Sequence, residues 1–250
     1  MAANINNLGA IFSANGEDLL RFPKELHGEY TIPDGTIKIA ESAFSGCDGL
    51  RKITIPQSVT EIGSYAFNEC RQLISVFLHC QITSIEQGAF NECAALKSII
   101  LPNKIEYIEN EAFSKCKELS AINIPDSVDS IGGDCNFFKG YHGPFEECSS
   151  LSSVTFGKNI RYIGENAFRF CKNLKTITLP DSLEYIGDHA FEACSNLSTI
   201  ILGKKITKIG KGVFDYCQSI EEIIVPKGCK RQYEEMENLS MLKQLIHEKV

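Results

Sequence analysis

Residues 61–70 read EIGSYAFNEC, and residues 84–93 read SIEQGAFNEC. The second string is the first displaced by 23 residues, so that Ile62, Phe67 and Cys70 return as Ile85, Phe90 and Cys93. Outward from this pair the register holds along most of the chain. Eight cysteines keep it: Cys47, Cys70, Cys93, Cys116, Cys148, Cys171, Cys194 and Cys217. Six of the seven intervals between them are 23 residues, and one, from Cys116 to Cys148, is 32. Three residues before each cysteine stands a phenylalanine (Phe44 to Phe214), and three after it a leucine or isoleucine (Leu50 to Ile220). An isoleucine precedes each unit in step, from Ile39 to Ile209. Several independent columns on one period across eight units mark a solenoid, in which each coil buries its apolar face only against its neighbours.

One unit, LKTITLPDSLEYIGDHAFEAC (residues 174–194), shows how a coil is built. Ile177, Thr178 and Leu179 alternate as a short strand, with Ile and Leu inward and Thr outward. Pro180 ends it, because proline cannot donate to a ladder. SLEYIG reads as a second extended segment, and Gly187 permits the turn after it. DHAFEAC is too short for an independent helix and predicts a single helical or 3₁₀ turn. Successive coils then stack their strands in parallel about 4.8 Å apart. A lone coil buries too little apolar surface to offset the entropy of ordering its backbone, so stacking must supply the difference.

The pattern L-x-x-I-x-I-P-x-S-V-x-x-I-G-x-x-A-F-x-x-C resembles the BspA-like leucine-rich repeat over roughly residues 30–228. The leading AIFSANGEDLLRFP and trailing VPKGCKRQYEEMENL are similar to segments that flank such repeats. The resemblance implies an α/β repeat solenoid, a right-handed leucine-rich-repeat superhelix with parallel strands on one face. It also implies a non-catalytic protein–protein interaction or adhesion-type module, common on bacterial cell surfaces, with no catalytic residues to carry over.

The raw ends of a solenoid need covers. Asn15-Gly16 between AIF and LLRF signals a hairpin, so residues 1–29 form the expected N-terminal cap. Residues 30–228 are the solenoid. Residues 229–250 are the expected helical C-terminal cap, with Met241, Leu242, Leu245 and Ile246 at helical spacing. The break in the period, 32 − 23 = 9 residues, is an insertion at about residues 133–143. It leaves the coil as a loop that carries Phe137, Phe138, Tyr141 and His142 between glycines.

Composition is that of an ordinary globular chain, 43% hydrophobic and 23% charged in 250 residues. A net charge of −7 gives nucleic acid and anionic membranes no overall attraction. MAANINNLGAIF lacks the basic and apolar regions of a leader, and no stretch reaches the ~18 apolar residues of a membrane span. The family resemblance points to the cell surface or secretion, while free thiols are equally compatible with the cytoplasm. The cysteine column predicts buried thiols acting as small hydrophobes, too parallel for disulfides. Cys80, Cys135 and Cys229 fall off the column, in loops. There is no C-x-x-C, P-loop, G-x-G-x-x-G or H-E-x-x-H, so no enzyme, metal or cofactor is expected. His189 lies near Cys194 in sequence, but an inward cysteine does not make a Cys–His pair. Ser58, Ser127 and Ser182 are expected to bond neighbouring backbone.

Function then falls to surfaces. The outward positions of the eight strands are Thr54, Phe77, Ile100, Asn123, Thr155, Thr178, Ile201 and Ile224. Phe77 with Ile100, and Ile201 with Ile224, would be adjacent exposed apolar pairs suited to a protein partner, although β-branched residues also favour strands for their own sake. On the second extended segment Tyr162 and Tyr185 fall on consecutive coils, as a shelf for a peptide or a carbohydrate. The aromatics Phe137, Phe138 and Tyr141 of the insertion are further contact candidates. Lys204, Lys205, Lys208, Lys211, Lys227, Lys230 and Arg231 cluster near the end, interrupted by Glu221 and Glu222. The expected partner is a protein, with carbohydrate binding or a spacer role as the alternatives.

Overall fold

A computed structural model describes residues 4–5, 8–133 and 142–249 of the chain. The alternation that begins each unit produces one strand per coil. Thr176–Thr178 runs parallel to Thr199–Ile201, which runs parallel to Glu222–Val225. Ile177, Ile200 and Ile223 face inward and are fully buried. The same major face includes Gly28–Thr31, Leu50–Ile55 and Ser75–Leu78 towards the N-terminus, in parallel register. A minor face is built from two-residue strands, of which Tyr162–Ile163, Tyr185–Ile186 and Lys208–Ile209 pair in parallel. Their isoleucines turn into the core.

The third side of the coil corrects the sequence reading. The segment around Ala-Phe-x-x-Cys is no helical turn but a pair of tight turns, each with a residue in the left-handed region. In one coil these are Tyr65 (φ 55°) and Glu69 (φ 59°), and equivalent positions in most other coils do the same. Backbone hydrogen bonding alternates along the segment. The N–H groups of Tyr65, Phe67 and Glu69 donate to Gln87, Ala89 and Asn91 in the next coil, while those of Ala66, Asn68 and Cys70 close back three residues within their own. A helical turn would direct every N–H along its own axis. Here half of them tie the coils together, which offsets the roughly 1–2 kcal/mol cost of a non-glycine left-handed residue.

Two buried columns run the length of the stack. Phe22, Phe44, Phe67, Phe90, Phe113, Phe145, Phe168, Phe191 and Phe214 stack ring on ring with centroids 4.7–5.8 Å apart. That separation is favourable for aromatic pairs. Phe22 extends the column into the segment expected as a cap. Beside the rings, each cysteine thiol donates to the phenylalanine carbonyl of the preceding coil: Cys93 to Phe67 O at 3.2 Å, Cys116 to Phe90 O at 3.2 Å and Cys148 to Phe113 O at 3.1 Å. The same carbonyl also accepts its own coil's cysteine N–H, as Phe67 O does from Cys70. The thiol is therefore a donor as well as a small hydrophobe, a role that alanine cannot fill. Cys80, although off the column, is buried as well. Cys217 and Cys229 are the half-buried cysteines among those described, and Cys135 lies outside the described residues.

At the N-terminus Ile11–Phe12 pairs antiparallel with Asp18–Arg21 around Gly16. At the C-terminus the chain forms a short helix, Lys230–Glu234, and a 3₁₀ segment, Glu237–Leu245. It then enters a strand, Ile246–Glu248, parallel to Glu222–Val225. Ile246 thus takes a strand position in the core rather than a helix face, and Met241 is 85% exposed instead of covering the end. Leu242 and Leu245 pack against the core. The insertion does not disturb the stack: Phe113 and Phe145 sit 5.3 Å apart across it. Its base is held by Gly133 N–H donating to Asn110 and Glu111 N–H donating to the His142 carbonyl.

Burial pushes the column thiols up, Cys47 to about 11 and Cys148 to about 12, with Cys70, Cys93, Cys116 and Cys171 also raised well above 9.0. The folded state keeps these protons longer than the unfolded chain does, so the stabilisation is complete below the unfolded value and is lost as pH rises towards the folded values. Above about pH 9 the unfolded chain loses these protons while the fold retains them, so each such thiol lowers stability as pH rises and the six act in the same direction. The urea midpoint is expected to collapse between about pH 9 and 10.5. In Cys93→Ala/Cys116→Ala the fall with pH should be shallower, even though this variant starts less stable. Parallel pH profiles for the two proteins would contradict the buried thiol ladder.

Candidate functional site

Side chains that leave the core on the major face line up because parallel strands in register put equivalent residues side by side. Thr54 lies opposite Phe77, Asn123 opposite Thr155, and Thr178, Ile201 and Ile224 form a row of three. Ser75 and Val76 pair with Ser98 and Ile99, which puts Ile100 one step beyond that ladder. Phe77 is 43% and Ile100 86% exposed, so the first expected apolar pair stands in solvent. The Lys52 ammonium lies 5.2 Å from the Phe77 ring centre. The second pair differs from expectation: Ile201 and Ile224 are half-buried. The C-terminal strand continues the sheet past Ile224, placing His247 beside it. Here the face dips into a groove of about 620 Å³, floored by Thr178, Ile201 and Ile224 and lined also by Pro180, Pro226, Asp181, Lys204, Lys227 and Lys249.

On the minor face Tyr107, Ser130, Tyr162, Tyr185 and Lys208 form one register row. The Tyr162 and Tyr185 rings stack at 4.7 Å, and the Lys208 ammonium sits 4.8 Å from the Tyr185 centre. One face of each ring is therefore covered by its neighbour, which narrows the shelf expected from sequence. Lys208 belongs to this face and Lys204 and Lys227 to the groove, so the basic cluster divides between two surfaces.

The turn face carries a polar ladder at the residue after each phenylalanine. Asn91 donates to Asn68 at 2.8 Å, and Asn68 to Ser45 at 3.4 Å. Further along, Arg169 lies between Glu146 (3.6 Å) and Glu192 (2.9 Å), whose side chains are 3% and 10% exposed. His142 contacts Glu146 and His189 contacts Glu192, while the Cys194 thiol points to Phe168 O. His189 and Cys194 are thus engaged separately. Ser58 and Ser182 donate to the Thr36 and Ile160 carbonyls, whereas the Ser127 hydroxyl finds no partner among the described residues. Among the described residues no group of three or more His, Cys, Asp or Glu side chains could hold a metal ion, and no helix is long and apolar enough to cross a membrane.

Phe137, Phe138 and Tyr141 lie outside the described residues. The reading from sequence missed Pro180, Pro226 and Lys249. The prolines recur on the repeat period and could have been placed beside the outward row. Lys249 carries no such signal, because it reaches the groove only through the terminal strand, with its N–H donating to Val225 O.

A family model described as a BspA type leucine rich repeat region, in six copies, matches residues 22–142 and 140–248. Among solved structures, a leucine-rich-repeat protein of T. pallidum is 25% identical, with 94% of this chain and 92% of that one covered and a TM-score of 0.57. A leucine rich cell surface protein from Faecalibacterium prausnitzii is 20% identical, covering 99% and 93%, at a TM-score of 0.47. A leucine-rich-repeat protein from Bacteroides ovatus is 20% identical, covering 100% and 98%, at 0.36. A comparison with curated proteins gives no match.

The turn face, with its charges satisfied inside the stack, acts on stability. Arg169→Ala would leave Glu146 and Glu192 without their shared cation in a buried setting, a loss of about 3 kcal/mol. Chemical denaturation of the variant measures it, and an unchanged midpoint would show that these carboxylates are solvated.

Proposed function

We propose, for a chain that belongs to the BspA-type leucine-rich-repeat family, that the major strand face is a docking surface for another protein. In this reading the coils are a rigid, non-catalytic scaffold and the partner is met in an adhesion-type contact. The observation that supports it best is Ile100, an aliphatic side chain 86% exposed on the strand face beside an exposed Phe77. Adjacent exposed apolar residues rimmed by hydroxyls and charge suit a protein interface. Lys52, Ser75 and Ser98 supply that rim in the neighbouring register row.

Large exposed aromatic and aliphatic side chains anchor interfaces by filling partner pockets. Phe77→Ser/Ile100→Thr is therefore expected to weaken capture of a partner by roughly tenfold or more, with little change in thermal midpoint because neither side chain is in the core. Quantitative cross-linking of wild type and variant in the same extract reads this out. Equal capture of the same partner by both would move the docking surface off this face.

A further inference from the structure

We propose that the groove at the C-terminal end of the major face takes an extended acidic peptide segment, in which apolar side chains are accompanied by neighbouring Asp or Glu. This rests on the reading of the major face as a protein-docking surface and names the chemistry of what docks there.

Two features carry it. The first is the apolar floor: Ile201 and Ile224 are adjacent in register and only half covered, with Pro180 and Pro226 beside them. The second is charge. Three lysines and one aspartate line the groove, 3 − 1 = +2, in a chain whose net charge is −7. This local sign runs against the field of the whole molecule.

The lysines are arranged by the repeat. Asp126, Lys158, Asp181, Lys204 and Lys227 occupy one position in successive coils. The first four pair off, Lys158 with Asp126 at 2.9 Å and Lys204 with Asp181 at 3.4 Å. Each aspartate also accepts the backbone N–H of its lysine. The alternation then stops: Lys227 follows Lys204 with no acid between. The terminal strand brings Lys249 to the same groove, anchored through its N–H to Val225 O. Neither Lys227 nor Lys249 makes an ion pair among the described residues. One oxygen of the nearby Glu248 carboxylate accepts the backbone N–H groups of Gly228 and Lys230. Two unpaired ammonium groups therefore border the apolar floor along one edge, just past the ends of the strands, and carboxylates beside an apolar side chain would complement both.

The test uses three fluorescein-labelled decapeptides and the full chain, followed by fluorescence anisotropy. One peptide has Glu and Asp flanking a central Leu-Ile pair. The second replaces the acids by Gln and Ser, and the third by Lys and Arg. The acidic peptide should bind most tightly and the basic one least. Raising salt from 50 to 500 mM should weaken the acidic peptide, since the contacts are exposed and screened. Lys227→Glu/Lys249→Glu should weaken it by about tenfold or more, and Ile201→Ser/Ile224→Ser should weaken the acidic and neutral peptides alike. The inference falls if the acidic peptide binds no better than the basic one, or if the charge-reversed variant binds it as wild type does. It also falls if a heparin oligosaccharide displaces it while Ile201→Ser/Ile224→Ser is without effect, because the site would then recognise charge alone. If Phe77→Ser/Ile100→Thr loses its protein partner while Lys227→Glu/Lys249→Glu keeps it, the major-face reading stands and the acidic-segment inference does not.

Discussion

No coil of this protein can satisfy itself. In the turn segments between the ends of the stack, alternate backbone N–H groups, such as those of Tyr65, Phe67 and Glu69, point out of the plane of the coil and find their acceptors in the next one. An unpaired buried amide costs about 1–3 kcal/mol, so every coil needs a neighbour at the strand spacing. The stacked phenylalanines and the thiol-to-carbonyl ladder repeat the same demand in the core, since a ring or thiol displaced by one residue would lose both its stack and its acceptor. The 23-residue period is the sequence form of that constraint.

The constraint acts inward and leaves the outside free. The nine extra residues between Cys116 and Cys148 are accommodated because the chain leaves and re-enters the stack with its ladder partners in place. Phe113 N–H donates to Pro144 O across the gap as Phe90 N–H does to Ala112 O in an unbroken coil. Gly143 permits the re-entry, since a Cβ there would collide with the Asn166 carbonyl. Outward positions vary from lysine to isoleucine for the same reason: nothing in the stack reads them.

Left-handed residues such as Glu69, Lys115 and Ala193 show the cost that the ladder overcomes. Their strain is tolerated because hydrogen bonds on both sides over-determine the backbone. Charge follows the same geometry. Aspartates and lysines one coil apart meet at about the strand spacing, so the repeat pairs them along the face until the alternation ends at Lys227. The docking surface proposed here begins where the regular pairing stops.

Much was legible in the sequence. The period, the inward Ile, Phe, Leu and Cys columns, the outward row from Thr54 to Ile224 and the tyrosine pair all follow from residue spacing, because one coil's environment is copied into the next. Alternation of apolar and hydroxyl residues was enough to place the strands. What spacing could not show depends on contacts between coils or at their ends. The left-handed turns replace a helical turn because inter-coil hydrogen bonds outweigh local preference. The thiols donate because a carbonyl of the preceding coil lies within reach. Cys80 is buried although it stands off the column. The terminal strand Ile246–Glu248 turns an exposed isoleucine pair into a groove and brings Lys249 to it. That strand pairs with residues more than twenty positions earlier, so only the folded chain decides what its side chains meet.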